Sequence, residues 1–136
     1  MIVIDASVMI AWLLDETTLA PGRDFDVLFE RQKLVVPSHW TAEVGNALIV
    51  NVRRGRILPE QVEILIGECA SFDIAVEKSP TLAGMMPLIH LAHSHNLTFY
   101  DAAYVQIARE RAIPLATLDK AMRAAARQLG LKLIPN

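Results

Sequence analysis

Four acidic residues stand where chemistry could be done. Asp5 follows Met-Ile-Val-Ile, an apolar run that enters the aspartate with no polar residue between. Asp119 repeats the arrangement after Pro-Leu-Ala-Thr-Leu, Asp101 opens a helical stretch in Phe-Tyr-Asp-Ala-Ala-Tyr, and Glu43 lies just inside the stretch that begins at Ser38. Short apolar, β-favouring runs suit strands buried on both faces of a parallel sheet. In such sheets chemistry gathers past the carboxyl ends of the strands, which puts all four acids at one end. Carboxylates crowded together repel, a lone one is costly to bury, and a divalent cation relieves both. Mg²⁺ takes oxygen ligands and keeps several waters, and such a site polarises a phosphodiester and lowers the pKa of a bound water. No Ser/His/Asp or Cys/His constellation is evident, so metal-assisted phosphodiester hydrolysis is the chemistry these residues suit. Ser7 and Thr117, each two residues from an acid, and Asn46, which shares a helical face with Glu43, are candidates to support the ligands from behind.

The same residues could also do no more than cap helices. Asp5 and Asp119 are good N-caps, Thr98-Phe-Tyr-Asp101 is a passable capping box, and Glu43 suits the positive end of its helix. Both roles stay open on spacing alone.

The elements that must position the acids alternate in type. Apolar runs predict strands at the N-terminus, at Leu34-Val35-Val36 (closed by Pro37), at Ile74-Ala75-Val76, over Pro114 to Leu118 and at Lys132-Leu133-Ile134. Between them, helical periodicity predicts Val8 to Leu14, ended by Asp15-Glu16-Thr17-Thr18, then about Pro21 to Gln32 with Phe25, Leu28 and Phe29 on one face. A long helix capped by Ser38 should run to Arg54 and stop at Gly55, apolar on two faces and therefore heavily buried. Pro59 opens the next, with Val62, Leu65, Ile66 and Cys69 inward, and Thr81 to His95 should kink or start late at Pro87. Thr98 to Ala112 and Asp119 to Leu129 complete the helices. Short strands alternating with helices predict one α/β domain over residues 1–136, a parallel sheet covered on both faces.

Composition narrows the function classes. Net charge is −2, so no global basic field advertises a nucleic-acid binder. Hydrophobic residues make up 53% of the chain, and counting glycine in place of tyrosine raises the share further above the usual ~45–50%. That surplus predicts an apolar protein–protein interface, with a groove near Met9, Trp12 and Leu13. The single cysteine, Cys69, excludes an internal disulfide and reads as a small buried hydrophobe. No apolar run is long enough to span a membrane and no signal-like segment is evident, which predicts a cytoplasmic protein. Arg53, Arg54 and Arg56 could contact phosphates or simply favour the C-terminal end of their helix, and Arg109, Arg111, Lys120, Arg123 and Arg127 could line an RNA path or form a solvated helix face. His90, His93 and His95 read as solvated rather than as a metal tract.

Four pieces taken in order carry a family resemblance: Ile-Asp-Ala-Ser, Pro-Ser-His-Trp-Thr-Ala-Glu-Val-Gly-Asn-Ala-Leu, Tyr-Asp-Ala-Ala-Tyr-Val-Gln-Ile-Ala and Thr-Leu-Asp-Lys-Ala-Met. With them the chain resembles the PIN-domain ribonucleases, in particular the VapC-type toxins of bacterial type II toxin–antitoxin pairs. The resemblance implies a three-layer α/β/α sandwich around a five-stranded parallel sheet in the order 3-2-1-4-5. It also implies Mg²⁺ or Mn²⁺ at Asp5, Glu43, Asp101 and Asp119, cleavage of RNA, a homodimer, and inhibition by a cognate antitoxin. Two alternatives compete with a nuclease toxin. A non-catalytic PIN-like RNA-binding or scaffold module would be expected to lack one or more acids, and all four are here. A Mg²⁺-dependent phosphatase or phosphotransferase of the haloacid type would carry Asp-x-Asp after the first strand, where this chain has Asp5-Ala6-Ser7.

Overall fold

The computed structural model describes residues 1–14 and 22–136, with the side chains of residues 22–24 left out of account. The chain alternates strand and helix: β1 (Ile2–Ile4), α1 (Ala6–Leu13), α2 (Gly22–Arg31), β2 (Leu34–Val36), α3 (Trp40–Arg53), α4 (Pro59–Ala70) and β3 (Ile74–Val76) come first. Then follow α5 (Met85–His95), α6 (Phe99–Arg111), β4 (Leu115–Ala116), α7 (Lys120–Gln128) and β5 (Leu133–Ile134). All strand pairs are parallel and the order is β3-β2-β1-β4-β5, as expected.

β1 is central because it is apolar without interruption. Ile2, Val3 and Ile4 are all buried, and each full burial of such a side chain contributes about 1.5–3 kcal/mol. β1 registers Val3 against Val35 on one side and against Leu115 on the other. The first connections move one way along the sheet and the later ones the other. Right-handed crossovers therefore send the early and late helices to opposite faces. α1 packs on α3 and α4, while α6 lies against β1 and β4 between α5 and α7. The change of direction falls between β1 and β4, the point at which open α/β sheets commonly bind ligands.

Several expectations need correction. Ser38 does not cap α3: the N-cap position is His39, in helical conformation and without a side-chain cap, and the Ser38 hydroxyl accepts from Ser79 Oγ at 3.0 Å. α3 does stop as expected, at Gly55, whose φ of +70° suits glycine. Its second apolar stripe is not heavily buried, since Ile49 is exposed, and on α4 Ile66 faces outward with Ile64 while only Cys69 is buried. Helical period alone cannot say whether a second stripe meets core or solvent. Met9 and Leu13 are core residues and cannot line a groove, and Trp12 stacks edge-on against Phe29 and Phe72. Pro87 leaves α5 starting late, at Met85, with Thr81 Oγ1 accepting from Gly84 N–H in the turn before it. The breaker Asp15-Glu16-Thr17-Thr18 and the start at Pro21 lie outside the described residues.

Candidate active site

Each acid owes its position to the end of one element. Asp5 follows β1 directly, and its N–H bonds the Ala116 carbonyl of β4 at 3.0 Å. Its carboxylate is buried, at 4% exposure, and is held from two sides. Ser7 Oγ donates to Oδ2 at 2.6 Å and Thr117 Oγ1 donates to the same oxygen at 3.0 Å. The capping bond from Ser7 N–H to Oδ1 is long, at 3.4 Å. Burial pushes the Asp5 carboxyl up, the hydroxyls of Ser7 and Thr117 pull it down, and the charge of Glu43 adds to the rise. The balance is upward.

Asp119 follows β4 and is exposed, with Oδ1 accepting from Met122 N–H at 2.8 Å as a true N-cap of α7. Thr117, fully buried, ties these two strand ends together: it donates to Asp5 and accepts from Asp119 N–H at 3.0 Å. Asp101 sits in the first turn of α6, its N–H bonded to Thr98 Oγ1 at 3.0 Å, so half of the proposed capping box forms. Its carboxyl is also raised, first by burial and then by the negative charges of Asp119, Asp5 and Glu43, against a lowering contact with Thr98. The charges of all three other acids thus bear on Asp101.

Glu43, in the first turn of α3, is held by residues that sequence reasoning passed over. Tyr104 Oη donates to Oε1 at 2.6 Å, and His39 Nε2 lies 3.2 Å from the same oxygen. Burial works to raise Glu43, but the contacts with His39 and Tyr104 and the electrostatic influence of His39 outweigh it, so its pKa is lowered. Tyr104 is itself fully buried, and its phenol is raised by burial and by the bond to Glu43. In sequence Tyr104 is one more apolar position on a helix; its pairing with an acid 61 residues away leaves no local signal. Asn46 is exposed on α3, with no bond to the acids.

The arrangement suits a divalent cation in its donor chemistry. Asp5, Asp101 and Asp119 form no ion pair among the described residues, where the pairs found are His39–Glu43 and Arg111–Glu77. Two of the acids are raised by burial and shared repulsion, which a bound cation would reverse. Among the described residues no three His, Cys, Asp or Glu side chains stand close enough together to enclose an ion.

The basic residues separate. Arg123 donates to the carbonyls of Thr117 and Pro135 at 2.8 and 2.6 Å, so it anchors the segment after β4 rather than lining an RNA path. Arg111 is paired with Glu77, whereas Arg109, Lys120 and Arg127 are exposed. His90 and His93 are exposed and His95 bonds Gln128. Cys69 is buried with its thiol pushed up to about 11, as suits an inert core residue. No described helix is long and apolar enough to cross a membrane.

Solved structures share this architecture. PAE2754 from Pyrobaculum aerophilum is 25% identical, with a TM-score of 0.73 over 98% of this chain and 88% of that one. FitAcB from Neisseria gonorrhoeae is 19% identical, with a TM-score of 0.60 over 98% and 96%. A PilT N-terminus domain protein, SSO1118 from the hyperthermophilic archaeon Sulfolobus solfataricus, is 16% identical, with a TM-score of 0.52 over 97% and 83%. These last two likenesses concern the fold alone. A comparison with curated proteins finds no match. The PIN domain family model matches residues 2–128, a span that takes in all four acids, Asp5, Glu43, Asp101 and Asp119, and the hydroxyls of Ser7 and Thr117. With its sheet order and that match, the chain belongs to the PIN-domain family, whose members are generally divalent-metal-dependent nucleases.

Proposed function

We propose that this chain is a metal-dependent endoribonuclease and the VapC-type toxin of a type II toxin–antitoxin pair, acting in the cytoplasm as a single nuclease domain over residues 1–136. The observation that carries the nuclease reading is that the charges of Asp119, Asp5 and Glu43 all bear on Asp101, while Asp5, Asp101 and Asp119 make no ion pair among the described residues. Asp5, Asp101 and Asp119 would hold Mg²⁺ or Mn²⁺ directly or through water, and Glu43 would orient the attacking water or a second ion. The ion, when bound, supplies polarisation of the phosphodiester and a more acidic water. The protein's own part is positional. Ser7 and Thr117 fix the Asp5 carboxylate, while Tyr104 and His39 fix that of Glu43.

The toxin reading rests on the resemblance to VapC-type chains. It gains support from the apolar side chains Ile49, Leu58, Ile64 and Ile66 exposed around α3 and α4, which suit a cover by a second copy or by an antitoxin. A non-catalytic RNA-binding module or a Mg²⁺-dependent phosphotransferase is the competing function.

The test is cleavage of single-stranded RNA by the purified protein with Mg²⁺, with Mn²⁺ and with a chelator, beside an Asp101→Asn control. Cleavage that needs the metal and is lost in the control supports the nuclease. RNA binding without cleavage would favour the non-catalytic module, and release of phosphate from a small phosphomonoester the phosphotransferase. Light scattering should give twice the chain mass.

A further inference from the structure

Beside the acids lies a second feature that they do not explain: a cleft of about 670 Å³ between the segments following β2 and β3 and the helices α5 and α6. Its volume falls in the range of small-molecule sites, roughly 300–1,000 Å³. The two are continuous through His39, which lines the cleft and also contacts Glu43. Tyr100, the residue before the half-buried Asp101, stands in the cleft wall and is 58% exposed, a large aromatic surface left to solvent. It is not a loose side chain. His39 meets it edge-to-face with ring centroids 5.1 Å apart, and Phe99 does so at 6.5 Å.

The polar groups of the cleft have the character of a nucleotide site. Lys78 is exposed and makes no ion pair among the described residues, while the neighbouring Arg111 is neutralised by Glu77. The paired hydroxyls of Ser38 and Ser79 offer donors and acceptors at the opposite wall. A positioned ring for stacking, a free ammonium for a phosphate and short hydroxyls for base edges are what unpaired nucleic acid requires.

We propose that this cleft is a nucleobase subsite, holding one unstacked base of a single-stranded RNA on Tyr100 while Lys78 meets an adjoining phosphate. The proposal rests on the ribonuclease reading for its substrate class. It makes the enzyme selective for unpaired RNA, because a base within a duplex cannot reach the ring.

Single 2-aminopurine substitutions along a short single-stranded RNA test it, read by fluorescence quenching on binding to the full-length Asp5→Asn protein, which needs no cleavage. Quenching is expected at one position of the RNA, together with a loss of about tenfold or more in affinity when that position is made abasic. Adding Tyr100→Ala should abolish the quenching and weaken binding by about ten- to hundredfold, and the abasic change should then cost nothing further. Tyr100→Phe, which keeps the ring, should restore the quenching. Quenching at no position, or quenching that survives Tyr100→Ala, overturns the subsite even if the protein with Asp5 intact cleaves RNA. Position-specific quenching in a protein that fails to cleave overturns the nuclease reading and leaves the subsite standing. A Tyr100→Ala protein whose light-scattering mass is halved, with RNA affinity following the mass, would make the cleft a face between copies of the chain and overturn the proposal.

Discussion

Asp5 and Asp119 arise from the same sequence pattern, an apolar strand running into an aspartate that opens a helix, yet the two carboxylates live differently. Asp119 is exposed and caps its helix at 2.8 Å. Asp5 is buried, gripped by two hydroxyls, and caps poorly at 3.4 Å. The difference follows from the sheet. β1 is central, with a strand on either side and α6 against it, whereas β4 has only the two-residue β5 beyond it. One pattern thus yields a carboxylate gripped by two hydroxyls and another that serves as a helix cap. Burial, which the pattern does not encode, separates them.

The largest expected effect tests the buried partner. Asp5→Asn removes a charge while keeping the shape, and cleavage of single-stranded RNA with Mg²⁺ should fall about a hundredfold or more. Melting in the presence of a chelator should hold or rise, because the neutral amide no longer resists burial. Unchanged cleavage would reduce Asp5 to the weak cap it also is.

Thr117→Val should come next, since it strikes the bond between the two halves of the comparison. It strips a hydroxyl from Asp5 and leaves the Asp119 N–H without its acceptor, which should cost about 1–3 kcal/mol in urea unfolding. Thr117→Ser should recover most of that. Asp119→Ala should cost about 1 kcal/mol through the lost cap, and Asp119→Asn almost nothing, because asparagine caps about as well. If Asp119→Asn nevertheless loses cleavage, capping and catalysis come apart at a single residue. Equal stability of the two variants would mean that the cap is idle.

The smallest effect is in pH. Asp5 and Asp101 have raised pKa values, so what they contribute to stability is present in mild acid and lost as pH rises through those values. Glu43, lowered, contributes above its unfolded pKa and fails only in stronger acid. The chelated protein should therefore melt slightly lower at pH 7 than at pH 5, and Asp5→Asn should flatten that slope. A steeper slope in the variant would contradict the assignment.

Much of the frame was readable because strand and helix signals here are local. Apolar runs located the strands, and Pro59, Gly55, Thr98 and Asp119 marked helix ends close to where the structure has them. The strand order came with the family resemblance. What escaped was long-range. Tyr104 and His39 hold Glu43 through contacts between different elements, and Ser38 prefers Ser79, 41 residues away, to the helix it was expected to cap. Ile49 and Ile66 were misjudged for a related reason: a stripe on a helix reports that something apolar could cover it, not that this chain does.

The grip of Thr117 on Asp5 spans 112 residues of chain, and it bears on how the protein is made. β1 is the first strand to leave the ribosome, but one of its two neighbours, β4, is among the last. Until residues 115–117 have emerged, Asp5 lacks both the Ala116 carbonyl that fixes its backbone and the hydroxyl that fixes its carboxylate. Asp119 does not yet exist. An unfinished chain therefore holds Asp5 without its two long-range restraints, and the carboxylate is fixed only when the sheet is completed.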